Sequence, residues 1–498
     1  MTWLPLRLCS IILGVPIDHL PGWYVWVIPR VACAIASVLL VDCSVWVLAT
    51  GPIHDNKDSS AKAPSTKGVP MPVLLIASAW PTMVLLNRPF TNAMETWIVA
   101  LLFRVVLREG SAGSKSTISI FQCLVVGALM ALGIFTRFTF VCFAFPLAAF
   151  FGFKMIQLIT VSPFVVIAKA VTTLATFLLV AAIIMDRDRD FYASPSWVLT
   201  PWNAFSYNSR VENLQHHGLH PRYTHALVNM FLLYGPMTLL AYVTLGMTAI
   251  SRGFNAQRLG SHERESRNSV GTITSCCQWT IMVGLGLLSS APHQEPRFLL
   301  PLLVPLALLS AHSKLWENYQ HLFLRVWIAF NGILLVLFGI MHQGGVVPSL
   351  LATGSSLMDR NPKAVIFYHT YMPPTFISRR GVDPRKCNEN KDTACHSCKE
   401  SPILDMDGSH NITTLLATIT EQLQCNDESD HVTLISSPLS KTLDGQLWYL
   451  GVERCTIPGY DCKRIWSHSP HLSTEDFPSL TQLMQEGLPL SIYEISCI

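Results

Sequence analysis

Apolar stretches recur along this chain from residue 22 to residue 342, at 22–50, 70–88, 93–107, 118–135, 138–155, 158–185, 226–250, 276–292, 297–312 and 322–342. A membrane-spanning helix needs roughly 20 predominantly apolar residues. Inside lipid every backbone N–H and C=O must be paired within the protein, which leaves helices as the natural solution for such runs. The chain is therefore expected to be an all-α polytopic membrane protein of about ten helices, by the length rule for spanning segments. Composition agrees, since 50% of the 498 residues are hydrophobic and only 13% are charged, about half the charge of a soluble domain. The stretches 93–107 and 297–312 are the shortest, and a buried core helix would read the same way. A net charge of +3 is too small to imply nucleic acid. No Gly-rich phosphate loop or zinc-ligand spacing is present, so neither a cofactor nor a metal is expected.

Orientation follows from Lys and Arg, which concentrate in cytoplasmic connections. Arg104, Arg108 and Lys115 lie in one connection, and Arg252, Arg258, Arg264 and Arg267 in another. Lys57, Lys62 and Lys67 lie in a third, accompanied by Asp55 and Asp58. With these on the cytosolic side, the 186–225 connection, the 293–297 turn and everything after residue 342 face the lumen. Arg187, Arg189, Arg210 and Arg222 then oppose the rule, a cost acceptable only if they have a task there. The expected organisation is a membrane domain, 1–342, with a lumenal loop at 186–225, followed by a lumenal soluble domain of mixed structure, 343–498.

The tail supports that side. It holds seven of the 14 cysteines, Cys387, Cys395, Cys398, Cys425, Cys455, Cys462 and Cys497, which in an oxidising compartment read as disulfides with one thiol left over. Asn411-Ile412-Thr413 is an N-glycosylation acceptor sequence. Cys395-x-x-Cys398 reads as a structural bridge, because no second C-x-x-C completes a zinc site. Cys33, Cys43, Cys123, Cys142, Cys276 and Cys277 lie in or beside apolar runs and read as small packed hydrophobes. An even number of spans also places Met1 in the lumen, yet no signal peptide pattern opens the chain. The topology thus asks for one more span upstream.

Two polar clusters interrupt the apolar pattern on the lumenal side. His293-Gln294-Glu295-Pro296-Arg297-Phe298 sits between two apolar runs, and Pro296 forbids a continuous unkinked helix there. The plain reading is a tight turn with a surface Glu–Arg pair; the functional one is a polar site at the membrane edge. The second cluster carries Tyr207, Asn208, His216, His217, His220, Arg222 and His225. Its histidine spacing matches no metal motif and Pro221 breaks the helical face, whereas Arg, His and Asn beside aromatics suit a sugar or a phosphate. Asp186-Arg187-Asp188-Arg189-Asp190 contains D-x-D, but its interleaved arginines favour local salt bridging.

Taken together, these segments resemble the dolichyl-phosphate-mannose-dependent mannosyltransferases of the GT-C class. The stretch HQEPRFLLPLLVPL at 293–306 is similar to that family's His-Lys/Gln-Glu-x-Arg-Phe signature. YNSRVENLQHHGLHPRYTHALVN at 207–229 and YHTYMPP at 368–374 resemble the branch that adds the fourth mannose to glycosylphosphatidylinositol (GPI) precursors. RPFTNAMET at 88–96 and GIFTRFTF at 133–140 are weaker likenesses. The resemblance implies a GT-C-like membrane enzyme of the endoplasmic reticulum whose donor is dolichyl-phosphate mannose and whose acceptor is a GPI glycolipid. It places His293, Glu295 and Arg297 at the donor phosphate and Tyr207, Asn208, His217, His220, Arg222 and His225 at a sugar substrate. The alternatives are a sibling acting on the lipid-linked N-glycan precursor and a non-catalytic truncated membrane protein. The family's initial span and following acidic His-Pro-Asp-Glu loop have no counterpart here, so no catalytic acid is assigned. Asp18 lacks any surrounding motif, and the expectation is an N-terminal truncation.

If the tail is lumenal, Asn411 is glycosylated in microsomes: glycosidase shifts the protein's mobility and Asn411→Gln abolishes the shift. Digestion of the tail by protease added outside sealed microsomes would reverse the topology.

Overall fold

A computed structural model describes residues 2–50, 68–108, 118–158, 162–215, 218–255, 268–311, 313–353, 362–370, 373–377, 402–406, 411–423, 425, 430–443, 445–451, 455–473 and 480–498. The chain forms two compact units, one of Arg30–Ile333 and one of Met1–Pro29 with Leu334–Ile498.

Helices dominate the first unit. Among the described residues, five helical stretches are long and apolar enough to cross a membrane: Gly22–Thr50, Phe140–Gln157, Pro163–Phe191, Gly271–Ser290 and Tyr319–Met341. The Pro163–Phe191 helix shows what such a helix does with its side chains. Phe164, Ile167, Val171, Leu174, Leu178 and Ile183 are all exposed, an apolar face that water would penalise and lipid accepts. Its inner face packs on the helix Ile120–Thr136. There Gly127 lets the two backbones approach so closely that a Cβ would collide with the Thr173 carbonyl, the small-residue packing used where lipid removes the hydrophobic drive for association.

The two shortest apolar stretches are interior helices. Thr91–Leu107 buries most of its residues, and Leu303–Ala311 buries every residue from Leu303 to Ser310. A helix apolar on all sides belongs inside, here surrounded by other helices.

Several expected spans are broken rather than continuous. The 70–88 stretch divides into Met71–Ala77 and a π-helical turn Thr82–Leu86. Asn331 Oδ1 accepts the Trp80 backbone N–H at 2.8 Å, repairing the break. The 226–250 stretch divides at Gly235, whose φ of 41° suits glycine and where a Cβ would meet the Phe330 ring. The 297–312 stretch opens as a 3-10 helix, Pro296–Leu302. Its prolines cannot donate into the ladder, and Tyr234 Oη donates to the Leu299 carbonyl at 2.8 Å, satisfying a buried acceptor. The 158–185 stretch continues to Phe191, so Asp186–Asp190 is helical and the 186–225 connection starts later than expected. Arg189 pairs with Asp186 at 2.9 Å and with Asp190 at 3.1 Å. The D-x-D segment is therefore locally salt-bridged.

The second unit contains the C-terminal sheet. Its strands are β1 Val365–Phe367, β2 Ile403–Asp405, β3 His431–Ser436, β4 Leu439–Leu443, β5 Gln446–Leu450, β6 Cys455–Thr456, β7 Tyr460–His468 and β8 Leu490–Cys497. Five of them form a mixed sheet in the order β2-β1-β3-β8-β7, and β4-β5-β6 form a separate meander. Side chains alternate between the faces with period two. Ile366, Val432 and Leu434 join the cluster that includes Leu415 and Ile419 of the helix Ile412–Gln422. Val365, Phe367 and Ile435 face the opposite cluster with Val346 and Leu350. Two disulfides, Cys425–Cys497 and Cys455–Cys462, staple this sheet, as the cysteine usage predicted. Cys387, Cys395 and Cys398 lie outside the described residues.

Candidate functional site

The site grows out of one proline. Residues before Pro are pushed towards extended backbone, and Glu295 adopts φ −98° and ψ 143° ahead of Pro296. That bend brings the three side chains of the turn together. Glu295 Oε1 meets His293 Nε2 at 2.9 Å and accepts from Arg297 Nη2 at 3.0 Å, while Oε2 pairs with Arg297 Nε. His293 Nδ1 faces the Gly218 carbonyl at 2.9 Å. Both ring nitrogens thus face oxygens. Partial burial pushes the Glu295 carboxyl up, but the adjacent Arg297 guanidinium and His293 outweigh it and hold it below the usual carboxylate range. The triad is partly buried, with His293 10% and Glu295 29% exposed at the side chain, so it is more than a solvated surface pair.

Gln294, between the two named polar residues, ties this turn to the histidine segment. It is 1% exposed. Its Nε2 donates to the carbonyls of Ala291 at 3.1 Å, Ser289 at 3.2 Å and Arg222 at 3.4 Å. Its Oε1 accepts the His225 backbone N–H at 2.8 Å, and its own carbonyl accepts from Asn229 Nδ2 at 3.4 Å. The Asn229 amide also contacts His225 Nδ1 at 3.0 Å, made possible by the π-helical turn His225–Asn229. A further bond runs from His220 N–H to the Pro292 carbonyl at 2.8 Å. The two clusters read separately in the sequence are one hydrogen-bonded body.

A second ion pair lies beside the first. Glu95, fully buried in the helix Thr91–Leu107, accepts from Thr139 Oγ1 at 2.8 Å and pairs with Arg137 Nε at 3.2 Å. Arg137 Nη1 also donates to Thr91 Oγ1 at 3.2 Å. Its guanidinium lies 5.0 Å from the Phe298 ring centroid, and that of Arg297 lies 5.7 Å from the Phe90 centroid, both within cation–π range. The segments 88–96 and 133–140, weak likenesses in sequence, thereby frame the 293–298 turn. Sequence reasoning named Gln294 within its polar cluster, and Glu95 and Arg137 only within weak likenesses, and gave none of the three a role. The available signal was a carboxylate and an arginine placed at the ends of apolar runs, where lipid would not tolerate them unpaired.

Other expected residues fall as follows. His220 and Arg222 are exposed, with the His220 and His293 rings 5.9 Å apart. His225 is fully enclosed, and its Nε2 has no hydrogen-bond partner among the described residues. Tyr207 and Asn208 end the helix Thr200–Asn208. Tyr207 is exposed, whereas Asn208 Nδ2 bonds its own helix at the Ala204 carbonyl, 2.7 Å away. That helix reaches the site through Phe205, whose ring lies 6.1 Å from Phe138 next to Arg137. His217 and the Asp18 side chain lie outside the described residues. In the other unit, Tyr368, His369 and Thr370 of the YHTYMPP stretch are buried; Tyr371 and Met372 are outside the described residues. Asn411 is exposed and caps the helix Ile412–Gln422, its Oδ1 accepting from Thr413 N–H at 3.0 Å. No group of three metal-ligating side chains occurs among the described residues.

A paired acid–base turn braced by an interior helix, in a helical membrane protein, now has a family. The model of the Alg9-like mannosyltransferase family matches residues 8–374, and the chain belongs to that family. Among curated proteins it is 33% identical to GPI mannosyltransferase 4 of Eremothecium gossypii over 62% of this chain and 54% of that protein. It is 29% identical to GPI mannosyltransferase 4 of Debaryomyces hansenii over 84% of this chain and 76% of that one. It is 26% identical to GPI alpha-1,2-mannosyltransferase 4 of Homo sapiens over 84% and 72%. The chain thus spans about half the length of the first of these relatives and about three quarters of the others. No solved structure matches it.

Gln294→Ala removes donors and an acceptor from a buried junction, and each polar group left unpaired costs about 1–3 kcal/mol. The variant is expected to unfold at a clearly lower temperature in detergent micelles although His293, Glu295 and Arg297 are intact; an unchanged midpoint would show that the junction carries no load. A second expectation concerns pH. Glu295 has a folded pKa below its unfolded value, so it contributes stability above the usual carboxylate range, about pH 4, and loses it as pH falls through the lower folded value. Amide protection factors over residues 293–298 should stay level from pH 7 to about 5 and drop only in more acid solution. A drop already at pH 6 would contradict the ion-paired carboxylate.

Proposed function

We propose that this protein transfers an α-linked mannose from dolichyl-phosphate mannose to a GPI-precursor glycan, as the fourth mannose, at the lumenal face of the endoplasmic reticulum membrane. The reading includes about ten spans, by the length rule for apolar stretches, and a lumenal C-terminal domain, which the two disulfides favour because such bonds persist in oxidising compartments. The observation that carries it is the junction of the His293–Glu295–Arg297 turn with the 218–229 segment through Gln294. The family signature and the branch-specific stretch are one site. The Alg9-like family description names no acceptor, and the GPI names of the relatives favour the GPI acceptor over the N-glycan precursor.

The chemistry asked of such a site is a single displacement. An acceptor hydroxyl forms a bond to the anomeric carbon, the bond from that carbon to the phosphate oxygen breaks, and a base takes the hydroxyl proton. β-linked donor becomes α-linked product, and dolichyl phosphate leaves. The departing phosphate gains negative charge, so cations placed before the reaction stabilise the transition state more than the ground state. Arg297 is such a cation, oriented by Glu295, which is itself held by His293. At a membrane edge the lower dielectric strengthens the interaction.

Arg297→Ala should reduce mannose transfer by about 10²–10³-fold, the effect of removing one preorganised partner of developing charge. Arg297→Lys should recover only part, because Lys lacks the fork that binds phosphate through two bonds. Glu295→Gln should weaken donor use while the protein still folds. Transfer is measured in membranes lacking their own fourth-mannose activity and normalised to folded protein; near-normal rates for both Arg297→Ala and Glu295→Gln would reduce the cluster to a turn.

A further inference from the structure

Charge around the turn does not balance. Three guanidinium groups gather about the rings of Phe90 and Phe298: Arg88 lies 6.0 Å and Arg297 5.7 Å from the Phe90 centroid, and Arg137 lies 5.0 Å from the Phe298 centroid. Two carboxylates serve them, with Glu95 paired to Arg137 and Glu295 to Arg297. The guanidinium of Arg88 has no carboxylate partner among the described residues. It is nonetheless half-buried, beside the interior helix Thr91–Leu107. A desolvated cation without a counter-charge is costly, and such residues at membrane edges mark ligand sites.

The backbone holds Arg88 in place. Pro89 restricts the residue before it, the Phe90 N–H bonds the Arg88 carbonyl at 2.7 Å, and the Arg88 N–H bonds the Leu85 carbonyl at 3.2 Å. Arg88 therefore leaves a tight turn at the start of the helix, and Phe90 stands next to both its guanidinium and that of Arg297. Glu295 accepts a hydrogen bond from Nη2 of Arg297 and forms an ion pair at its Nε, so the charge of that arginine is largely answered while its Nη1 can still donate.

We propose that Arg88 is a second phosphate-binding arginine of this site, gripping with Arg297 the phosphate of the lipid-linked sugar donor and supplying the positive charge that no carboxylate neutralises. The assignment rests on the donor reading above. It fits the charge change of the reaction: a phosphodiester donor carries one negative charge, and its phosphate gains more as the sugar leaves. Arg88 accordingly binds the leaving dolichyl phosphate more tightly than the intact donor.

The test uses the purified full chain in detergent, with dolichyl phosphate as probe and uncharged dolichol and inorganic phosphate as comparisons. Wild-type protein should be stabilised against thermal unfolding by dolichyl phosphate and by neither comparison. Arg88→Gln should need about tenfold more dolichyl phosphate or higher for the same shift, a charge-assisted bond being worth about 1.5–3 kcal/mol, and Arg88→Lys should fall between. If wild-type and Arg88→Gln respond equally, Arg88 is not a ligand and the donor reading stands. If wild-type does not respond, the donor reading falls and this assignment with it. Equal stabilisation by inorganic phosphate would overturn the lipid-linked ligand. Phenylglyoxal labelling of the wild type guards against a misfolded variant: dolichyl phosphate should shield Arg88, and undiminished labelling would overturn the proposal.

Discussion

The side-chain amide of Gln294 is the contact on which the site depends. The two Nε2 hydrogens of one buried group are shared among three carbonyls and its Oε1 accepts one backbone N–H; two of these partners are near it in sequence and two lie 69 and 72 residues away. Gln294 is buried, so a lost partner would leave a polar group unpaired inside the protein. Because it is satisfied, His293 reaches the Gly218 carbonyl and Glu295 holds Arg297. The electrostatics of the turn are thus a consequence of a neutral hydrogen-bonding residue.

The interior helices explain why the polar groups sit where they do. Thr91–Leu107 and Leu303–Ala311 are enclosed by other helices, and each is entered through a polar segment: Arg88-Pro89-Phe90 before the first, and the 293–298 turn before the second. Polar side chains gather at these entrances because the helices behind them offer nothing to bond. Glu95 is the buried charge, one turn inside its helix, and it is met there by Arg137 and Thr139. A lone buried carboxylate would be strongly destabilising, so the 137–139 connection is held to this helix by charge.

The C-terminal sheet follows different rules. Its strands are short and alternate cleanly between two apolar clusters, as water-soluble sheets covered by helices do. The Cys425–Cys497 bridge ties the segment after the helix Ile412–Gln422 to the last strand, and Cys455–Cys462 ties β6 to β7. Loop closure of this kind limits the unfolded chain more than it strengthens the folded one.

Apolar run length, proline position and cysteine clustering were legible in the linear chain. They determined that the protein is a helical membrane protein, that its backbone bends at Pro296, and that its tail is disulfide-bonded, because each depends on local chemistry alone. The membership of the 293–298 and 207–229 segments in one site was suggested by resemblance, but their physical connection was not. Whether a short apolar run is a lipid-facing span or an enclosed helix was also undecided in sequence, since Thr91–Leu107 and a spanning helix differ in their neighbours and not in their composition. The same holds for charge. That Glu95 belongs to Arg137, that Arg88 has no carboxylate, and that Gln294 rather than a histidine joins the two clusters are facts of long-range packing. Pairing energies fall off within a few ångströms, and only the tertiary structure decides which distant residues come that close.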